Sequence, residues 1–159
     1  MVRREEWFVL WLGAFAFLHA GCGDSNRPTY PAGGTVSLTD GTPVGGGQIF
    51  FQLQNDPAAA TAQGTTAPDG TFQLGTYNQT DGALEGTHSV MVIPPRAPRE
   101  LGWEAQMQQG RALSSANVQI DHQYYGFDTS PLMFTVTSDP TKNHFDIRLE
   151  PPRSRPRGN

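Results

Sequence analysis

The most reactive side chain of the 159-residue chain is that of its single cysteine, Cys22. It follows the largely apolar run Trp7–Leu18 and the small residues Ala20 and Gly21. This run of 12 residues fits the core of a secretory signal, which needs about 7–15 residues, whereas a membrane-spanning helix needs about 20. Because a lone cysteine of an exported protein has no partner for an internal disulfide, its thiol is a candidate for covalent modification.

The stretch Leu18-His19-Ala20-Gly21-Cys22 resembles the bacterial lipobox, in which a Leu, a small residue and Gly or Ala precede a Cys. The resemblance implies that a diacylglycerol is attached to the Cys22 thiol and that a signal peptidase cuts between Gly21 and Cys22. His19 departs from the pattern, because Leu usually stands immediately before the two small residues. Two alternatives are open, namely cleavage after Ala20 by the ordinary signal peptidase and an uncleaved anchor.

Residues 1–21 are therefore predicted to be a lipoprotein signal peptide, and the predicted partner is a membrane, through lipid on Cys22. Two or three acyl chains on one residue would hold the protein on a bilayer, at about 0.8 kcal/mol per buried methylene. Gly23, rather than Asp, follows Cys22. An Asp there is similar to an inner-membrane retention signal, so its absence favours the outer membrane or the cell surface.

The remaining chemistry-bearing side chains do not form a recognisable catalytic or metal-binding motif. There is no Gly-x-Ser-x-Gly elbow and no closely spaced histidine pair, which nucleophilic catalysis and zinc sites respectively favour. His88 and His144 lie in predicted strands and are expected to face solvent. Asp40, Asp69 and Asp81 each precede Gly and are expected to cap turns. We predict no catalytic residues, no metal site and no cofactor.

Aromatic side chains near predicted loops are the main candidates for ligand contacts. Such side chains bind sugars in many sandwich modules, and the candidates that we single out are Trp103, Tyr124 and Tyr125, with Tyr77 and Phe127 also near loops. For each candidate there is a structural alternative: Trp103 caps the core, and the Tyr124-Tyr125 cluster plugs the core at a strand edge.

Composition and net charge limit the possible fold classes and the possible partners. Gly and Pro contribute 18 and 13 residues, which excludes a helical bundle and favours a turn-rich β domain. The net charge is −4, Lys142 is the only lysine, and the only arginine cluster lies in the C-terminal tail. A nucleic-acid-binding protein needs a basic face, so nucleic acid is not an expected partner.

Short alternating segments separated by turn signals predict an all-β domain of seven strands. The predicted strands are 35–38, 48–53, 61–66, 71–74, 86–93, 132–137 and 144–149. Residues 22–33 are predicted to be a flexible tether, and residues 96–116 a long loop insertion. The Pro- and Arg-rich tail, 151–159, is expected to be disordered.

The order of several motifs resembles small lipoproteins of planctomycete-type bacteria that carry a carboxypeptidase regulatory-like, or transthyretin-like, domain. The motifs are Pro31-x-x-Gly-Thr-Val-x-Leu, Asp40-Gly-x-Pro-Val-x-Gly-Gly-x-Ile-x-Phe, Asp69-Gly-Thr-Phe-x-Leu, Gly86-x-His-x-Val-x-Val and Asn143-x-Phe-Asp-Ile-x-Leu. The resemblance implies a seven-stranded antiparallel prealbumin-like β-sandwich over residues 34–150.

Taken together, the sequence favours a non-enzymatic, lipid-anchored protein of the cell envelope. Its β-sandwich would act as a structural or interaction module, with an envelope protein or a polysaccharide as partner. The alternative is a cell-surface carbohydrate-binding module that uses the loop aromatics.

Overall fold

The computed structural model describes residues 26–95 and 118–153. This part of the chain is mostly β, as the sequence predicts, with two short 3₁₀ helices, His122–Tyr125 and Pro140–Lys142. Within it the strands are β1 Thr29–Tyr30, β2 Gly33–Leu38, β3 Gln48–Leu53, β4 Ala62–Thr65, β5 Thr71–Gln73, β6 Ala83–Leu84, β7 Gly86–Ile93, β8 Met133–Val136 and β9 His144–Leu149. No helix of the described ranges is long and apolar enough to cross a membrane.

The strands form a three-stranded sheet in the order β5-β2-β9 and a four-stranded sheet in the order β4-β3-β7-β8. A two-stranded ribbon, β1-β6, accompanies them. The prediction of a wholly antiparallel arrangement is wrong at one place, since β2 and β9 pair in parallel. Parallel neighbours need a crossover connection of about a dozen residues or more, and here the whole four-stranded sheet lies between them in sequence.

Each of the seven predicted strand segments overlaps an observed strand, although β2 begins two residues before its predicted segment, and within the described residues the short β1 and β6 are additional. Strand β1 changes the predicted boundary of the tether. Thr29 pairs with Leu84 and Tyr30 with Ala83, and β2 already begins at Gly33. The prediction of a flexible tether is therefore wrong over residues 29–33, because strand partners distant in sequence order this segment.

The two larger sheets share one hydrophobic core. Alternate residues of each strand point into it, so that β3 buries Ile49 and Phe51 while β9 buries Phe145, Ile147 and Leu149. Phe51 lies at the centre of an aromatic cluster that joins the two sheets. Its ring centroid is 5.6 Å from that of Phe145 and 6.3 Å from that of Phe72 on the three-stranded sheet, and 6.1 Å from that of Phe134 on the four-stranded sheet.

The C-terminal segment leaves the core after β9. Residues 151–153 have no regular secondary structure. The Arg153 guanidinium lies 3.5 Å from the Asp121 carboxylate and 3.8 Å from that of Glu150. The rest of the predicted tail, the signal peptide, and the predicted insertion at 96–116 lie outside the described residues.

Candidate functional site

The sequence-predicted site residues fall in different places. Gly21, Cys22 and Trp103 lie outside the described residues. Tyr124 and Tyr125 lie in the 3₁₀ helix that follows Asp121, whose carboxylate accepts a hydrogen bond from the Gln123 N–H at 3.0 Å.

The two tyrosines of this helix do not share a surface. Tyr124 is buried in the core, and its hydroxyl accepts a hydrogen bond from the Glu150 N–H at 3.2 Å. The prediction of Tyr124 as a ligand contact is therefore wrong, and its structural alternative, a core plug, describes it. Tyr125 is exposed and packs edge-on against His122, with ring centroids 4.8 Å apart. Partial desolvation of the Tyr125 hydroxyl, assisted by the Asp121 charge, raises the pKa of Tyr125.

The two strand histidines also differ. His144 is exposed, as predicted, but His88 is buried and its ring centroid lies 6.0 Å from that of Phe51. The prediction that His88 faces solvent is wrong because it lies on the same face of β7 as the buried Val90 and Val92. Its Nδ1 lies 3.0 Å from the Gly86 carbonyl oxygen, which only accepts, so Nδ1 carries the proton. Burial lowers the pKa of His88.

Two of the three Asp-Gly pairs cap turns as predicted. The Asp40 carboxylate accepts from the Thr42 N–H at 2.8 Å, and that of Asp69 accepts from the Thr71 N–H at 2.9 Å. The backbone hydrogen bond from Thr42 lowers the pKa of Asp40, and the hydrogen bond from the Thr71 hydroxyl lowers that of Asp69. Over residues 26–95 and 118–153, no group of three or more His, Cys, Asp or Glu side chains is arranged to hold a metal ion.

The third pair has a different role, because Asp81 holds the loop that precedes it. Its carboxylate accepts hydrogen bonds from the backbone N–H groups of Thr76, Tyr77 and Asn78, and the last two are 3.0 and 3.1 Å long. Burial raises the pKa of Asp81, but the three donors together outweigh it and leave the pKa below its usual value. The Thr76 hydroxyl also donates to the Gly82 carbonyl at 2.7 Å. Residues 75–82, here called the Asp81 loop, thus have a defined shape.

The Asp81 loop forms one wall of a groove of about 780 Å³. This volume lies within the roughly 300–1,000 Å³ typical of small-molecule sites. The groove runs beside β4 and β5, where one edge strand from each large sheet comes together. The described lining residues are five carboxamides, three threonines, two aromatics and two glycines: Gln48, Gln63, Gln73, Asn78, Gln79, Thr65, Thr76, Thr80, Phe50, Tyr77, Gly64 and Gly75.

Strand pairing arranges the floor of this groove. Gln48 lies opposite Thr65 and Phe50 lies opposite Gln63, so these four side chains occupy the outer face of the four-stranded sheet. Side chains directly opposite each other on antiparallel strands have their Cβ atoms about 4.5–5.5 Å apart. The floor is therefore a continuous surface of amide, hydroxyl and phenyl groups.

Glycine at position 64 is what allows β4 and β5 to meet here. A Cβ on Gly64 would collide with the Gln73 carbonyl oxygen. Gln63 and Gly75 complete the junction with two reciprocal backbone hydrogen bonds of 2.9 Å. Gly64 therefore brings Gln63 of one sheet next to Gln73 of the other, and their two side chains line the same groove.

A second cavity of about 620 Å³ continues the groove and shares Thr65, Gln73 and Thr80 with it. Pro31, Ala32 and Phe72 are among its other lining residues, and His144 is the one titratable side chain in its described lining. The two cavities therefore adjoin each other, and their described lining carries little charge.

The side chains of the first cavity can bind a ligand, and Tyr77 is the one titratable group in its described lining. No carboxylate, imidazole, thiol or amine belongs to that lining, and the second cavity contributes the His144 imidazole. A threonine hydroxyl needs an adjacent base before it can act as a nucleophile. Binding by shape, hydrogen bonds and aromatic surface is what these groups can provide.

Sequence reasoning missed most of this site. Tyr77 was among the loop aromatics, but Phe50, Gln48, Gln63 and Gln73 were not predicted as site residues. The available signal is that Gln alternates with apolar residues in the strands, which places amides on the outer faces. No family model, curated protein or solved structure matches this chain.

Proposed function

We propose that this protein is a non-enzymatic, lipid-anchored component of the cell envelope whose β domain acts as an interaction module. The observation that carries this proposal is the groove beside β4 and β5. Its described lining offers hydrogen-bonding amides, hydroxyls and aromatic surface, with Tyr77 as its one titratable side chain. Such a lining is suited to holding a partner rather than transforming it.

The proposed architecture is the seven-stranded prealbumin-like sandwich that the sequence motifs imply. In the part of the chain that the structure describes, seven strands of three or more residues in two sheets around one core support it. The strand order also separates it from a common alternative, since β2 and β3 lie in different sheets. The first two strands of an immunoglobulin constant-type sandwich share a sheet instead.

The proposed anchor is lipid on Cys22, exposed as the new N-terminus by cleavage after Gly21. Six residues lie between Cys22 and Thr29, where β1 begins, so seven Cα-to-Cα steps join the two. A fully extended chain of that length spans at most about 25 Å. The domain would therefore stay close to the bilayer, and the outer membrane or cell surface is the proposed location.

Lipidation is tested by metabolic labelling with radioactive palmitate, followed by membrane fractionation, in a bacterial host that processes lipoproteins. We expect the wild-type chain to take up label and to sediment with membranes, and Cys22→Ser to do neither. A His19→Leu variant, which completes the lipobox pattern, should be processed at least as fully as the wild type. Label that persists in Cys22→Ser, or an unlabelled wild type, would refute the anchor.

A further inference from the structure

We propose that the groove beside β4 and β5 binds a segment of an uncharged polysaccharide, with Tyr77 and Phe50 as its apolar contacts. This inference rests on the proposed role as an interaction module and names its ligand class. The sequence-based alternative of a carbohydrate-binding module relied on Trp103, Tyr124 and Tyr125. The structure assigns the binding surface to other residues.

The first argument is the hydrogen-bonding character of the lining. Each carboxamide presents an acceptor oxygen and two N–H donors, and each threonine hydroxyl both donates and accepts. Sugar hydroxyls also donate and accept, so the five carboxamides and the hydroxyls of Thr65 and Thr80 can pair with them in either sense. The Thr76 hydroxyl donates to the Gly82 carbonyl and can still accept. Pairing of this kind matters because a polar group buried without a partner costs about 1–3 kcal/mol.

The second argument is the placement of the two aromatic rings. Phe50 projects from the outer face of the four-stranded sheet, and Tyr77 belongs to the Asp81 loop. Both are only partly buried, so each offers ring surface to the groove. A sugar ring has apolar C–H faces between its hydroxyls, and such faces are stabilised by contact with aromatic surface. The Tyr77 N–H bond to Asp81 holds the backbone that carries one of these rings.

The third argument is the combined size of the two cavities. They have volumes of about 780 and 620 Å³ and share three lining residues, so they adjoin each other. Together they exceed the roughly 300–1,000 Å³ of a typical small-molecule site, which suits several linked residues of a polymer better than a single compact molecule. Pro31 and Ala32 of the second cavity directly follow β1, so the groove lies near the proposed membrane anchor, where envelope polysaccharide would be within reach.

The charge of the groove and of the whole chain argues against anionic polymers as ligands. Neither cavity has a lysine or arginine in its described lining, and the whole chain carries a net charge of −4. A polyanion needs cationic side chains to offset its charge. The expected ligand is therefore a neutral glycan.

A peptide added to an open strand edge is less well supported. The edge of β4 is partly closed, because Gln63 exchanges both of its backbone hydrogen bonds with Gly75. The other edge strand, β5, has only three residues. Strand addition depends on a run of main-chain hydrogen bonds, which these edges do not offer.

The test is binding of the purified full-length protein, in detergent, to immobilised polysaccharides of known composition. The neutral members are a glucan, a mannan, a galactan and chitin, and the anionic members are alginate and heparin. We expect at least one neutral polysaccharide to bind and both anionic ones not to. The same protein is applied to peptide arrays, because a peptide is the competing class of ligand. Binding to peptides without binding to any glycan would overturn the inference.

Matched variants locate the site. Tyr77→Ala and Gln63→Ala should each weaken binding by about 10-fold. Their controls are Tyr125→Ala and Gln52→Ala, which remove the same side-chain types outside the groove and should change the affinity by less than about twofold. A thermal melt of each variant identifies any loss that is due to unfolding. Equal losses in the Tyr77 and Tyr125 variants would overturn the proposed location.

Failure of every glycan to bind would overturn the inference. Palmitate labelling separates the two proposals. Protein that takes up label but binds no glycan would support the lipid anchor and overturn the glycan proposal. Protein that binds a glycan but takes up no label would support the glycan proposal and overturn the anchor.

Discussion

Phe50 and Phe51 are neighbours in β3 with the same side chain and opposite orientations, so truncating each one tests the sheet register. Phe51 has no exposed surface, and its ring lies within 6.3 Å, centroid to centroid, of the rings of Phe72, His88, Phe134 and Phe145. Phe50 is half-buried on the outer face and lies opposite Gln63 and Met91.

The expected losses differ several-fold. Phe51→Ala leaves a cavity between two sheets that cannot both move into it, and buried Phe→Ala changes cost about 3–5 kcal/mol. This is a large part of the roughly 5–15 kcal/mol by which domains are stable. Phe50→Ala removes two cross-strand contacts, each worth about 0.2–1 kcal/mol, so we expect a loss of about 1 kcal/mol.

The measurement is a urea titration of the purified mature protein, followed by far-ultraviolet circular dichroism. If Phe51→Ala does not fold, the pair Phe51→Leu and Phe50→Leu should show the same order with smaller losses. A one-residue shift in the register of β3 would exchange the two faces of the strand. Equal losses, or a larger loss for Phe50, would therefore refute the assignment of faces.

Three other changes test parts of the fold. The pKa of His88 in the folded protein lies below its usual value of 6.5, so the unfolded chain takes up the proton first as the pH is lowered. The free energy of unfolding should therefore decrease as the pH is lowered from 6.5, by at most about 1.4 kcal/mol per pH unit. His88→Phe should remove this dependence and His144→Gln should preserve it, so the same slope in both variants would contradict the buried neutral imidazole. Asn143→Ala removes the buried acceptor of the Thr137 N–H and should lower the free energy of unfolding by about 1–3 kcal/mol in urea titrations, and an unchanged midpoint would contradict this role. Gly64→Ala should lower the free energy of unfolding by about 1–3 kcal/mol through overpacking and should weaken glycan binding. A variant with unchanged stability and unchanged binding would contradict the close approach of the two sheets.

Much of the secondary structure was predictable because its signals are local. Phe145, Ile147 and Leu149 alternate with polar residues, and β9 has the predicted bounds and the predicted buried face. The Asp69-Gly70 turn was equally predictable from the sequence, since Gly70 adopts a φ of 83° that favours glycine.

The orientation of β7 shows where a periodic pattern stops being informative. Val90 and Val92 lie on one face of the strand, but Met91 and Ile93 make the other face apolar as well. A period of two therefore does not say which set is buried, and His88 was assigned to the wrong face. The strand is central, between β3 and β8, and the packing of the two sheets decides which of its faces is buried.

The candidate site was less predictable than the strands. Tyr124 and Tyr125 are adjacent and chemically identical, yet one is in the core and the other on the surface. The 3₁₀ geometry that separates them begins with the cap that Asp121 provides. Tyr77 was recognised only as a loop aromatic, because its neighbours in the groove come from distant strands.

By itself, the sequence determined the properties that depend on neighbours along the chain: the apolar segment before Cys22, the turns, the alternation of the strands and the all-β class. Only the tertiary structure decided the parallel pairing of β2 with β9, the burial of His88 and the groove. The groove exists because Gly64 allows two sheets to approach and because Asp81 holds a loop against their edge. These contacts join residues that local periodicity does not relate, since they form when two sheets pack around one core.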